Sequence, residues 1–192
     1  MIDFSYRKKN WRYRQPFWAL DVTRTQIRRP WNKDKYTNAR IKYYWSAKDK
    51  IYALKYEVGV SLGEHCKIIY VSGPCPGSVH DIKIARHSSL RHLERGEKVV
   101  ADLGYIGQDN QVITPVPYTK LRNAIQNKFM GYLIQNVERM NNRIKIFNAA
   151  GLWRGKKNFH KYIFHACCYI TNLELEVTPL NGEMPTRDKI EI

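Results

Sequence analysis

The run Pro16-Phe17-Trp18-Ala19-Leu20-Asp21-Val22-Thr23 decides the reading of the fold. A short apolar run after a proline reads as a buried strand, and this one ends on an acid, Asp21. A second run, Val99-Val100-Ala101, also ends on an acid, Asp102, and Asp102-Leu103-Gly104-Tyr105 turns out of it. Between the two, Lys50 to Val60 and Cys66 to Val71 read as strands of a hairpin turning at Gly63. Ser72 to Ser78 holds two prolines and two glycines, which sustain neither periodicity, so it reads as a loop. Ser78 or Asp81 can cap the next helix, which carries Ile82, Ile84, Ala85 and Leu90. Thr114-Pro115-Val116-Pro117 is a further irregular connection.

A long helix follows. Leu121, Ile125, Phe129, Leu133, Val137, Met140, Ile144 and Phe147 recur every three or four residues and form one apolar stripe, with Gly131 as the point of a kink or break. Asn158 to Leu175 reads as a final helix. The order strand, strand, strand, helix, strand, helix, helix predicts an α/β fold, a mixed sheet with helices on its faces. No break divides it, so residues 17–178 read as one domain, with a basic arm over 1–16 and a tail over 179–192.

The chain has 192 residues, with 33 Lys and Arg against 17 Asp and Glu, a net charge of +16. A hydrophobic share of 43% supports a core and excludes wholesale disorder. No run approaches the roughly 18 apolar residues of a membrane span, and the first residues lack the apolar centre of a signal peptide. No membrane is expected. Cys66, Cys75, Cys167 and Cys168 form no C-x-x-C pair, which argues against a zinc site and for reduced thiols inside a cell.

The charge is concentrated. Residues 1–50 hold 14 Lys and Arg against 4 acids, together with 11 aromatics that include Trp11, Trp18, Trp31 and Trp45. Residues 120–165 hold 10 Lys and Arg against one acid, Glu138. Such blocks bind phosphate backbones by releasing counterions. Interleaved aromatics can stack on bases, although in strands they read first as core.

Acids are scarce, so their positions carry information. Asp21 and Asp102 fall at strand C-terminal ends, where open α/β sheets build sites. Glu138 lies on the flank of the long helix's stripe, facing the sheet edge, with Asn141, Asn142 and Lys145 on its face. Three converging carboxylates need a cation, and oxygen ligands suit Mg²⁺ or Mn²⁺, two of which can act on a phosphodiester. Singly, each has a plain reading: a turn for Asp21, an Asx turn for Asp102, a surface charge for Glu138. His80 and Asp81 precede a helix, and N-capping explains them adequately.

In order, these residues resemble the catalytic domain of Harbinger-type DDE transposases, related to bacterial insertion-sequence transposases. The likeness rests on Asp21-Val22-Thr23 followed by Arg29-Pro30, on the lysine-rich stretch Trp45 to Lys55, on Pro76-Gly77-Ser78-Val79-His80-Asp81, on Asp102-Leu103-Gly104-Tyr105, and on Val137-Glu138-Arg139 with Lys145. It spans residues 17–175, and 35 residues separate Asp102 from Glu138, a spacing typical of that family. Val22 and Ala47 stand where the family has glycine.

The resemblance implies a ribonuclease-H-like fold and a catalytic triad, Asp21, Asp102 and Glu138, that holds two divalent ions, Mg²⁺ or Mn²⁺. It implies supporting roles for His80, Asp81, Gly104 and Tyr105. DNA phosphates would be held by Arg28, Arg29, Lys48, Lys50, Arg139, Asn142 and Lys145. The implied chemistry is cutting at transposon ends and joining of the freed 3′-OH to target DNA. Only 20 residues precede Asp21, where such transposases carry a helix-turn-helix. DNA is the expected partner, with a second copy of the chain or a separate DNA-binding subunit. The expected setting is the nucleus of a eukaryote or the cytoplasm of a bacterium. Two alternatives stay open: a catalytically silent, transposase-derived DNA-binding protein, and a nuclease that cuts without joining.

Overall fold

The computed structural model describes residues 18–30, 38–62, 66–115 and 124–180. The basic arm, Trp31, the turn at Gly63, Val116, Pro117, Leu121 and the tail beyond residue 180 lie outside them, as do the side chains of Ile125 and Phe129. Strand β1 (Trp18–Ile27) is followed by α1 (Asn38–Tyr43), β2 (Trp45–Ser46), β3 (Ile51–Ser61) and β4 (Ile68–Pro76). Next come α2 (Asp81–His87), β5 (Val99–Ala101), β6 (Val112–Ile113) and α3 (Ala124–Ile146). The chain continues through α4 (Asn148–Gly151) and β7 (Leu152–Trp153) into α5 (Lys157–Val177). Among the described residues no helix is long and apolar enough to cross a membrane.

The sheet is mixed, as expected. β1 and β3 pair antiparallel from Trp18↔Ser61 to Gln26↔Ala53. On the far side of β3 lie β4 and, at its start, the short β2. On the far side of β1 lie β5 and, at its end, β7, both parallel to it. Strand β6 extends the sheet beyond β5. The order β4-β3-β1-β5-β6 is a three-stranded antiparallel meander joined to a parallel pair, the ribonuclease-H-like arrangement.

Alternation along β1 distributes the core. Ala19 and Ile27 face a large cluster with Tyr56, Val58, Val137, Met140, Ile144 and Phe164, beneath α3 and α5. Trp18, Leu20 and Val22 face a smaller cluster with Ile84, Ala85 and Tyr105, beneath α2. In the larger cluster the rings of Tyr56 and Phe164 stack with centroids 3.9 Å apart and planes 9° from parallel. The Ala149 carbonyl lies 2.8 Å from His160 Nε2, so that nitrogen donates and Nδ1 accepts from the Tyr56 hydroxyl at 2.7 Å. Burial also lowers the His160 pKa, which keeps the ring neutral.

Several local expectations are corrected. Strand β1 does not stop at Thr23 but runs on to Ile27, because β3 supplies a partner through Gln26. The stretch read as a loop, Ser72 to Pro76, is the end of β4. Ser72 pairs with Glu57 and Cys75 with Lys55, leaving Gly73 and Pro74 together opposite Tyr56 as a bulge. Gly73 has φ +129°, and a β-carbon there would sit 2.7 Å from the Lys55 carbonyl oxygen, so only glycine fits. The ladder meets β4 from one side only, where proline is tolerated. Gly131 breaks nothing: α3 passes through it, and the space around its α-carbon is open. Neither Ser78 nor Asp81 caps α2. His80 occupies the cap position without a side-chain hydrogen bond, and Asp81 opens the helix.

Glu57 is a fully buried acid in mid-sheet. It accepts from the Ser88 hydroxyl at 2.6 Å and the Ser89 amide at 3.4 Å, and burial nevertheless pushes its pKa up to about 6. A raised carboxyl favours the protonated native state, so its contribution is complete below the unfolded value of 4.5 and fades as pH rises through about 6. Wild type is therefore expected to lose about 2 kcal/mol between pH 4.5 and 7 relative to Glu57→Gln, read from urea melts at each pH. Phe164→Ala removes one half of the stacked pair and is expected to cost about 3–5 kcal/mol in the same assay.

Candidate active site

The parallel ladder between β1 and β5 pairs Ala19 with Val100 and Leu20 with Ala101, and the next residue on each strand is an aspartate. Asp21 shares the face of Ala19, and Asp102 shares that of Val100, the face covered by α3. The two carboxylates therefore meet on one side of the sheet, where the parallel strands part. Asp21 is not at the end of its strand but at the end of its pairing with β5.

Each carboxylate is oriented. Asn141 on α3 donates from Nδ2 to Asp21 Oδ2 at 2.8 Å. Asp102 caps the short 3₁₀ turn Leu103–Tyr105, its Oδ1 accepting from the Gly104 amide at 2.9 Å. A β-carbon on residue 104 would lie 2.9 Å from that same oxygen and would press on the carboxylate. Burial raises the Asp21 pKa, and the charges of Asp102 and Asp81 raise it further, against the backbone hydrogen bond of Val22 and the charge of Arg24. Asn141 Oδ1 is buried nearby with no hydrogen-bond partner. Two crowded carboxylates beside an unsatisfied amide oxygen form a hard-oxygen donor set, which fits a divalent cation such as Mg²⁺ or Mn²⁺.

Asp81 belongs to the opposite face. Lys55 donates to its Oδ1 at 2.8 Å, and Arg24 Nη2 lies 3.6 Å from its Oδ2. Arg24 also reaches Asp49 Oδ2 at 2.7 Å, and Asp49 accepts from the Ser46 hydroxyl. Two cations and two carboxylates thus balance, linking the turn before β3 to the start of α2. Tyr105 is buried on this side, its hydroxyl 3.5 Å from Glu57 Oε1. His80 is exposed.

Glu138 is exposed on α3, on the side away from the buried Val137 and Met140, with Asn142 and Lys145 exposed beside it. It was expected to look toward the sheet edge, with Asn141 on its face. Asn141, about 60° around the helix from Glu138, instead lies inward beside the buried Met140 and Ile144, and it touches Asp21. Among the described residues no three His, Cys, Asp or Glu side chains gather tightly enough to hold a metal ion.

The basic residues separate into two places. Arg28, Arg29 and Lys50 line a cleft of about 540 Å³ together with Trp45, Tyr52 and Arg154. Lys48 is exposed in the turn beside it. The cleft lies about 20 Å along β1 from Asp21. Arg139 and Lys145 lie on α3 with Glu138. Arg154 and Trp45 were not foreseen as a pair with Arg28, because only the parallel pairing of β7 with the end of β1 brings residue 154 there. Asn141, Arg24 and Lys55 were also not singled out as site residues. Their signal was side-chain parity: Arg24 and Lys55 alternate with apolar neighbours on paired strands, and Asn141 sits one residue from the apolar stripe.

A family model described as DDE superfamily endonuclease matches residues 20–172. No curated protein and no solved structure matches the chain. The matched span contains both ladder-end aspartates, the Asp81 network and the whole of α3, and the chain belongs to the DDE superfamily endonucleases.

Proposed function

We propose that this chain is a DNA endonuclease and strand transferase of the Harbinger-type DDE transposase class, acting with two ions of Mg²⁺ or Mn²⁺ inside the cell. The observation that carries this reading is the meeting of Asp21 and Asp102 at the end of the β1–β5 ladder, each held by a separate hydrogen bond. In this reading Asp21 and Asp102 hold the ions, and Glu138, one helical turn before Asn141, completes the set. Ions bound there supply Lewis-acid activation of the attacking oxygen and neutralise the leaving one. Asn141 keeps Asp21 turned toward Asp102. Gly104 and the 3₁₀ turn fix one oxygen of Asp102. Asp81 serves Arg24 and Lys55 instead of an ion. In the first step water attacks phosphorus at the element end, the bond to the 3′ oxygen breaks, and a 3′-OH and a 5′-phosphate result. In the second step that 3′-OH attacks a target phosphodiester and releases a target 3′-OH, so one ester replaces another.

The cleft of Arg28, Arg29, Lys50 and Arg154 seats the DNA backbone beyond the reacting phosphate, with Lys145 and Arg139 on the α3 side. A second reading, a silent DNA-binding descendant, is favoured by one observation, the exposure of Glu138.

Purified protein is expected to nick supercoiled plasmid with Mg²⁺ or Mn²⁺, and Asp21→Asn, Asp102→Asn and Glu138→Gln each to lower the rate by at least about a hundredfold. Equal nicking by wild type and Asp102→Asn would sink the site, and DNA binding without any metal-dependent nicking would favour the silent reading. Mn²⁺ bound at Asp21 would offset the burial, and the lesser repulsion from Asp102, that raise its pKa, so it should lift the melting temperature of wild type and not of Asp21→Asn. Arg154→Ala should reduce the slope of log affinity against log salt for duplex DNA by about 1.

A further inference from the structure

Helix α5 presents one face to the core through His160, Phe164, Cys167, Cys168, Thr171 and Leu175. The opposite face is apolar too. Phe159, Tyr162, Tyr169, Ile170, Leu173 and Val177 are 42–85% exposed. At 100° per residue they fall into a single stripe about 100° wide, centred opposite the buried one. A continuous apolar stripe along a helix about 30 Å long is more than the scattered exposure of an ordinary monomer surface.

We propose that this stripe is the contact surface for a second copy of the chain, with the two α5 helices packed antiparallel about a two-fold axis. The stripe complements itself in that arrangement. Its middle is residue 168, and Phe159 and Val177 stand equally far on either side. Reversal sets Phe159 against Val177, the small, exposed Ala166 against Ile170 where the helices cross, and Tyr162 within one residue of Leu173. An isologous contact of this kind uses each pair twice.

The charges select the direction. The N-terminal end of α5 carries Lys156, Lys157 and Lys161, and the C-terminal end carries Glu174 and Glu176. The Lys161 ammonium leans over the Tyr162 ring, 4.7 Å from its centroid, which brings it to one flank of the stripe. Glu176 falls on the same flank, and while accepting from Lys67 it keeps 57% of its side chain exposed. A two-fold axis reverses height and preserves flank, so Lys161 of each copy meets Glu176 of the other. Parallel packing would set lysine against lysine and align the helix dipoles unfavourably.

Light scattering on the full chain at about 0.15 M ionic strength is expected to give twice the 22.7 kDa chain mass. Leu173→Glu should weaken the dimer at least about thirtyfold and leave the circular dichroism and melting of the monomer unchanged, since that side chain points away from the core. Lys161→Glu and Glu176→Lys should each weaken it, and the double variant should recover it. A monomeric wild type overturns the proposal, as does a dimer indifferent to Leu173→Glu or a double variant that stays dissociated. If removing residues 1–17 or 181–192 turns a monomer into a dimer, the chain's own ends cover the face, and the proposal fails. These measurements use neither DNA nor metal, so they stand or fall apart from the catalytic reading.

Discussion

Two backbone pairings, Ala19 with Val100 and Leu20 with Ala101, are the constraint on which the site depends. Parallel strands must be joined by a crossover, and here β3, β4 and α2 intervene between β1 and β5. The ladder they close is very short. Because side chains alternate with a period of two, a slip of one residue would send Asp102 to the α2 face, away from Asp21. The apolar residues hold the register: Ala19 and Val100 are completely buried in the larger cluster, and Leu20 and Ala101 in the smaller. Packing on both faces of a two-residue ladder thus fixes the position of two charges that packing alone would not tolerate together.

The two sheet faces handle acids differently. On the α2 face Asp81 is neutralised by Lys55 and Arg24, and Glu57 shifts toward its protonated form. On the α3 face Asp21 has neutral donors, the Asn141 amide and the Val22 backbone, and a second carboxylate close by. Burial of a charge is compensated by a partner, by a proton or by a bound ion. The α2 face uses the first two, and the proposed function assigns the third to the α3 face.

The strands β1, β3 and β5, the helix α3, the final helix and the mixed sheet were legible in the sequence, because hydrophobic periodicity reports burial directly. Asp21 and Asp102 were legible because an acid directly after a buried run is locally conspicuous. What was not legible depended on pairing. The extension of β1 to Ile27 comes from β3, and the strand character of Gly73-Pro74 comes from a bulge against Tyr56. The inward turn of Asn141 follows from its offset of about 60° around the helix from Glu138, which spacing rules blur. The link between Asp81 and Lys55 joins residues 26 apart through strand parity, and no local pattern announces it.

The bridge made by Arg24 has a mechanical consequence. Its guanidinium holds Asp49, in the turn that carries Lys48 and Lys50, and also approaches Asp81 at the start of α2. Arg24 itself is three residues beyond Asp21 on the same strand. Turn, strand and helix are therefore tied at one knot, and a pull on the turn's lysines is delivered to the strand within about 10 Å of the paired aspartates. A load on the basic rim is a load on the site, carried by Arg24 with an anion at each end and by the ladder of β1 with β3.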